Sequence, residues 1–326
     1  MSKKILVSII ILSYNNLEYL NQCIDSVLCQ TYENIELIIS NDGADEFNVC
    51  EVERYIQSRK PGNITNLYIN HNNENVGTVK HCNIALEFAK GDYIMFIACD
   101  DMYSNDGAVS DMVNAFSIAP TDTLCIVGQT RMCNNDLTEV SCNYVSKETQ
   151  EQINSLTPFQ LYQKCLSLRP ILPSASLIYK REAYSIFGKY DESYFLIEDW
   201  SSTIAFARKG LKFYFVDITC VDHRDGGVSH SGHDPNNFAH KMYTLDHIKI
   251  AKDLLRHKND FTPEVITSIK DRLAYWQNVY NEVFLLPSLT PRKKALYKFK
   301  HKVQSATKMP PRYLFKKLVN KLRESK

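Results

Sequence analysis

Residues 5–13, Ile5-Leu6-Val7-Ser8-Ile9-Ile10-Ile11-Leu12-Ser13, form an almost unbroken run of aliphatic side chains, most of them β-branched. A strand with one wet face alternates apolar and polar residues. A continuous apolar run marks a strand buried on both faces, as in a parallel sheet. Tyr14-Asn15-Asn16 then turns the chain. Leu17, Leu20, Cys23, Ile24, Val27 and Leu28 follow at helical spacing and predict an amphipathic helix ending near Gln30. Ile35–Ser40 reads as the second strand, closed by Asn41-Asp42-Gly43. Helices are expected at about 46–58 and 78–90, around a short strand Asn66–Asn70, with Gly91 as a left-handed cap. Asp92–Ala98 is the next strand. The order β-α-β-α-β-α-β predicts an α/β fold with a mostly parallel sheet and helices on both faces.

Further on, Asp106–Ser117 predicts a helix and Leu124–Gly128 a strand. Residues 129–158 are polar and read as an irregular excursion. Ser174–Tyr179 and Phe213–Asp217 are strand candidates, with a helix at about 199–209 closed by Gly210. Residues 222–237 are turn-rich and are expected to hold no regular element. From 238 the pattern is helical, at 238–257 and 263–285, before a basic tail. The expected organisation is an α/β domain over 1–237 and a helical extension over 238–326.

The chain has 326 residues, 44% hydrophobic and 23% charged, enough for a full core. Its net charge of +1 hides an asymmetry: residues 291–326 carry 13 Lys/Arg against the single acid Glu324, so the rest is net acidic. The ten cysteines include no C-x-x-C and no zinc spacing, which points to free thiols in a reducing compartment. The Ile5–Leu12 run is too short for a membrane span, and a cytoplasmic protein is expected. There is no Gly-rich dinucleotide fingerprint and no P-loop, so phosphates must be handled another way, most simply by a divalent metal.

Carboxylates punctuate the apolar runs. Asp42 follows Ile35–Ile39, Asp100 and Asp101 follow Tyr93–Ile97, and Glu198 and Asp199 follow Tyr194–Ile197. Open α/β sheets bind ligands at the carboxyl ends of their strands. Asp100-Asp101 there can hold a hard cation, or serve as an Asx turn. Asp42 can accept from a nucleobase N–H while Tyr14 stacks on the base, or it can be a turn residue. Glu198-Asp199 can supply a general base, or simply suit a helix N-terminus. Arg224 and Ser229, within His223-Arg224-Asp225-Gly226-Gly227-Val228-Ser229, can donate to a diphosphate, or belong to a solvated loop.

In this order the segments resemble an inverting family 2 glycosyltransferase of the GT-A fold, from about Val7 to His230. The resemblance rests on Val7–Asn15, Cys23-Ile24-Asp25-Ser26-Val27-Leu28-Cys29-Gln30-Thr31-Tyr32, Glu36–Gly43, Asn75-Val76-Gly77 through Asn83, Gly91-Asp92-Tyr93-Ile94, Asp100-Asp101 and Glu198-Asp199-Trp200. It implies that Asp42 binds uracil and that Tyr14 is the platform for the base. It implies Asp100 and Asp101 as the metal element, Asp101 being the direct ligand. Asp199 becomes the catalytic base and Glu198 its acceptor-side neighbour. Three positions depart from the family pattern. Asn41 replaces a first aspartate, Ala98 an additional aspartate, and Cys82 an arginine, whose role Lys80 or His81 could take over.

The resemblance implies a Mn²⁺- or Mg²⁺-dependent enzyme that moves a sugar from a nucleotide-diphosphate donor, a UDP-sugar first, to a carbohydrate hydroxyl. A lipid-diphosphate-linked O-antigen or capsule unit is the favoured acceptor, and no nucleic-acid partner is expected. The alternatives are a non-catalytic nucleotide-sugar-binding scaffold and a nucleotidyltransferase. The latter would show a Gly-rich basic loop where Ser13-Tyr14-Asn15-Asn16 stands. In the tail, Leu314, Phe315, Leu318, Val319 and Leu322 fall on one helical face among Lys and Arg. That pattern predicts peripheral binding to an anionic membrane surface through 291–326.

Overall fold

The computed structural model describes residues 4–59, 61–226, 234–295 and 297. Strands β1 (Val7–Ser13), β2 (Ile35–Asn41), β3 (Ile64–His71) and β4 (Tyr93–Ala98) alternate with helices α1 (Leu20–Leu28), α2 (Val49–Arg59) and α3 (Thr78–Phe88). The chain continues through β5 (Met102–Tyr103), α4 (Ala108–Asn114), β6 (Cys125–Cys133), β7 (Val140–Asn143), α5 (Lys147–Ser155) and α6 (Pro158–Leu161). Then come β8 (Leu177–Lys180), α7 (Arg181–Phe187), α8 (Glu198–Lys209), β9 (Phe213–Arg224), α9 (Phe238–Arg256) and α10 (Pro263–Val279).

The described strands form one sheet in the order β3-β2-β1-β4-β8-β6-β9-β5, with β7 on β6. β1 pairs in parallel with both β2 and β4, so the chain winds one way from β1 and then returns to its other side. That reversal opens a crevice at the carboxyl ends of β1, β2 and β4. β1 is buried on both faces: Ile9 and Ile11 pack with Cys23, Ile24 and Val27 of α1, while Ile10 packs with Ala85 and Leu86 of α3. The α/β expectation therefore holds for the physical reason given for it.

Four local readings differ. Gly91 is not a left-handed cap. Its amide donates to Ser8 Oγ at 2.7 Å, and a Cβ there would lie 2.5 Å from the Ser8 nitrogen. The residue is small because another backbone passes against it. Residues 129–158 hold the second half of β6, then β7 and α5. β9 runs on through Asp222, His223 and Arg224, where a turn-rich segment was expected. Its far half pairs with β6 up to Cys133↔Arg224, and Arg131 and Asp222 bridge the two strands with two bonds of 2.6 Å. Arg131 and Asp222 satisfy each other across the ladder, while Gln129 and Thr130 bond to Val145 and Ser176, partners that neither segment announces alone. Last, Tyr194–Ile197 is an irregular strap, and Glu198 and Asp199 open helix α8 rather than end a strand.

The core does not stop at residue 237. Ile250, Ala251 and Leu254 of α9 and Ile269 of α10 join the same buried cluster as Trp200, Phe206 and Phe213. Among the described residues, no helix is long and apolar enough to cross a membrane.

Candidate functional site

A cavity of about 650 Å³ opens at the β1/β4 reversal, lined by Tyr14, Asp42, Ala98, Asp101, Glu198, Asp199 and His223 among others. That volume suits a ligand of nucleotide-sugar size. Five of the eight residues singled out from the sequence therefore meet on one wall system: Tyr14, Asp42, Asp101, Glu198 and Asp199.

Asp42 sits at the end of β2 and is buried. Its Oδ1 accepts from Asn72 Nδ2 at 2.9 Å and Val76 N at 3.1 Å, and its Oδ2 from Gly77 N at 3.1 Å. One Oδ2 lone pair is left for a ligand donor. Tyr14, at the end of β1, is 41% exposed and leaves a ring face for stacking. Asn41 has a different duty. Its Nδ2 donates to Ser13 Oγ at 3.1 Å and its Oδ1 accepts from Ala44 N at 2.8 Å. A carboxylate could keep both contacts only by accepting from the Ser13 hydroxyl, which now donates to Ser40 O.

Asp101 is buried, with His223 Nδ1 3.0 Å from its carboxylate and Arg224 N donating to it at 3.0 Å. Burial raises the Asp101 carboxyl against the lowering effect of His223. Burial works to lower His223, but the bond and charge of Asp101 prevail and raise it. Asp100 is not among the cavity-lining residues; Asn16 Nδ2 holds its carboxylate at 3.1 Å. Arg224 is engaged away from the cavity. It donates to Asp100 O and Gln22 Oε1, each at 2.9 Å, and to Asn135 O, and its guanidinium stacks 3.9 Å from the Tyr19 ring centre. It staples the end of β9 to α1, and each of its three guanidinium nitrogens already has a partner. Ser229 lies outside the described residues.

Glu198 and Asp199 form the first turn of α8. Trp200 anchors that turn, donating from Nε1 to Leu166 O at 2.7 Å beneath the Arg272 guanidinium. Burial, then the charge of Asp199, pushes Glu198 up to about 8. Burial raises Asp199 as well. Burial and the neighbouring charge thus favour the protonated form of Glu198 near neutral pH. Beside it stands Cys82, whose thiol burial raises well above its ordinary value, with Glu198 and Asp199 adding to the effect. His81 bonds Ser40 Oγ at 2.8 Å and is held low by burial, so it brings no positive charge. Lys80 is exposed and is not among the lining residues.

Sequence reading assigned no site role to Phe195, to the cap Asn237 or to the start of α9 (Phe238, Ala239), all of which line the cavity, as does Gly77 of the Asn75–Asn83 segment. No local pattern marks Phe195 or Phe238; chain crossings bring them in.

Among the described residues, no group of three or more His, Cys, Asp or Glu side chains is placed to hold an ion by itself. Asp101 and His223 both line the cavity, bonded to each other. A carboxylate there fits a Mn²⁺-type ion that exchanges this bond for coordination and takes its other ligands from phosphates and water.

The model of glycosyl transferase family 2 matches residues 8–186, more than half of the chain. The chain belongs to glycosyl transferase family 2. An uncharacterized glycosyltransferase of Haemophilus influenzae is 40% identical over 101 residues, 31% of this chain and 38% of that protein. The uncharacterized glycosyltransferase RP339 of Rickettsia prowazekii is 29% identical over 211 residues, 62% of this chain and 59% of its own length. The chain spans less than two thirds of these curated relatives. Among solved structures, Staphylococcus aureus TarS 1-349 in complex with UDP aligns with TM-score 0.56 at 16% identity, over 90% of this chain and 78% of that one. The mannosyltransferase PcManGT of Pyrobaculum calidifontis, in complex with GDP-Man and Mn²⁺, aligns with TM-score 0.57 at 12% identity, over 93% and 81%. These likenesses show the GT-A fold.

Proposed function

We propose that this family 2 glycosyltransferase transfers one sugar with inversion from a UDP-sugar to a carbohydrate hydroxyl, a lipid-diphosphate-linked O-antigen or capsule unit being the favoured acceptor. The observation that carries the reading is the shared cavity. Asp42, with an acceptor site to spare, the half-exposed Tyr14 ring and the carboxyls of Glu198 and Asp199 all line it. Support for the donor class comes from the UDP and UDP-GlcNAc complexes of TarS, while the GDP-Man complex keeps a second base in view.

Asp42 accepts from the uracil N–H and Tyr14 stacks on the base. Asp199 takes the proton of the acceptor hydroxyl as its oxygen attacks the anomeric carbon. The bond from that carbon to the diphosphate oxygen breaks, and its electron pair leaves with the nucleoside diphosphate. Attack opposite the leaving group inverts the anomeric centre, so an α-linked donor gives a β-linkage. Glu198 keeps its proton and can donate to an acceptor hydroxyl. Asp101 and His223 would hold a divalent cation, with Asp100 behind them. Such an ion, when bound, offsets the charge that develops on the departing diphosphate. The domain division proposed for the chain is catalytic over 1–237 and helical over 238–326, with the basic tail on an anionic membrane surface. That tail lies almost wholly outside the described residues.

A panel of nucleotide sugars assayed with lipid-diphosphate-linked acceptors tests the reading. Transfer from a UDP-sugar with an inverted product is expected. Tight UDP binding without turnover on any acceptor would favour the scaffold alternative, and release of pyrophosphate would indicate nucleotidyl transfer.

A further inference from the structure

Asp246 lies on α9, is 3% exposed, and is not itself among the cavity-lining residues. Its carboxylate accepts from three successive backbone amides: Phe195 N at 3.0 Å, Leu196 N at 2.7 Å and Ile197 N at 3.1 Å. A buried carboxylate is costly unless so satisfied, and three amides converging on one anion make a rigid nest. The strap it grips is tied on its other side too. Phe195 O accepts from Val79 N at 3.2 Å, and a Cβ on Gly77 would lie 2.7 Å from that oxygen. Gly77 N in turn donates to Asp42. One unbroken series of bonds thus runs from α9 through residues 195–197 and the N-terminus of α3 to the donor side of the cavity. The residues that follow the strap are Glu198 and Asp199.

We infer that Asp246 is a positioning residue, which clamps the strap and thereby sets how Asp199 presents itself to the acceptor hydroxyl. This rests on the reading of Asp199 as the base. The clamp is also electrostatic, since the Asp246 charge adds to what keeps the proton on Glu198. The other groups facing the pair are Cys82 of α3, with Asp42 beyond it, Tyr179 of β8, Tyr243 of α9, and Tyr144 with Arg169 near it. Among these Asp246 is the carboxylate that touches the strap, so its removal loosens the geometry and lowers the proton affinity together.

The test uses the full chain with Asp246→Asn and Asp246→Glu. Residue-resolved amide exchange is read at 195–200, with kcat and donor KM as functions of pH. In D246N, exchange at 195–197 should quicken while β1 amides stay protected. kcat should fall by ~10–100-fold, as expected for a misplaced catalytic group, with donor KM nearly unchanged. The alkaline limb of the kcat profile should move to lower pH, because Glu198 gives up its proton more readily. D246E keeps the charge but displaces it by one methylene, so kcat should fall with the limb unmoved. Unchanged exchange in both variants overturns the inference. So does a kcat loss in D246N whose pH profile coincides with that of the parent, since a merely structural role predicts that. If D246N does not fold, D246E decides on the geometry: quickened exchange at 195–197 with a lower kcat and unchanged donor KM supports the clamp, and unchanged exchange or unchanged kcat overturns it. Full turnover in Asp199→Asn alongside a loosened strap in D246N would remove the base reading while leaving the anchor supported.

Discussion

Glu198 and Asp199 are adjacent carboxyls, both raised by burial, and the proposed reaction gives them opposed duties. Asp199→Asn keeps size and polarity but removes the proton acceptor, so kcat should fall by ~10²–10⁴. UDP affinity by titration calorimetry should be unchanged; near-normal turnover would exclude Asp199 as the base. Glu198 makes a stability prediction. Its carboxyl is raised from 4.5 to about 8 in the folded state. Below 4.5 both folded and unfolded chains hold the proton. Between that value and about 8 only the folded chain does, so this group's contribution falls as pH rises through the window. Glu198→Gln removes the dependence. Urea unfolding should find it more stable than the parent at pH 8, with the gap closing toward pH 5. A pH-independent gap would mean that Glu198 is not holding a proton.

At the scale of elements, the loop between β3 and α3 depends on one acceptor. Asp42→Ala removes three bonds to Asn72, Val76 and Gly77 together with the site offered to the base. UDP affinity should drop by ~1.5–3 kcal/mol, the worth of a hydrogen bond to a charged acceptor. Asp42→Asn isolates the electrostatic share of that loss, and unchanged calorimetry in both variants would make Asp42 a turn residue only. The strands and helices up to Ala98 were legible in the sequence because each carries its own period: unbroken runs for β1 and β2, helical spacing for α1. The far halves of β6 and β9 were not, because polar residues such as Arg131 and Asp222 become strand residues only by pairing with each other. The lining of the candidate cavity was legible where one residue type suffices, at Asp42, Asp101 and Asp199. It was illegible where chain crossings supply the contact, as at Phe195, Phe238 and Asp246. Arg224 illustrates the converse: its type suits a phosphate, yet its partners are Gln22, Asn135 and the backbone of Asp100.

For the whole molecule, two outcomes are expected. Chelation should abolish transfer, and Mn²⁺ or Mg²⁺ should restore it, because His81 is held neutral and Cys82 replaces a basic side chain. Full activity in EDTA would require another source of positive charge. Deleting 291–326 should release the protein from anionic liposomes at low salt while soluble-acceptor transfer persists, since each basic residue near such a surface contributes ~1 kcal/mol. Equal co-sedimentation of full-length and truncated chains would show that the tail is no anchor.

The continuity of the core past residue 237 bears on how this enzyme can be cut and recombined. The family match ends at residue 186, and a builder of chimeras would be tempted to splice there or at 237. A junction at 237 strips Ile250, Leu254 and Ile269, all essentially buried, from the surface around Trp200, and one at 186 parts that whole surface from Tyr162, Leu177 and Tyr179 of the same core. At ~1.5–3 kcal/mol for each large side chain, that loss rivals the ~5–15 kcal/mol by which an ordinary domain is stable. A fragment ending at 237 should therefore aggregate or unfold, and one ending after α10 should fold. Acceptor specificity grafted from a relative will travel only if α9 and α10 travel with it.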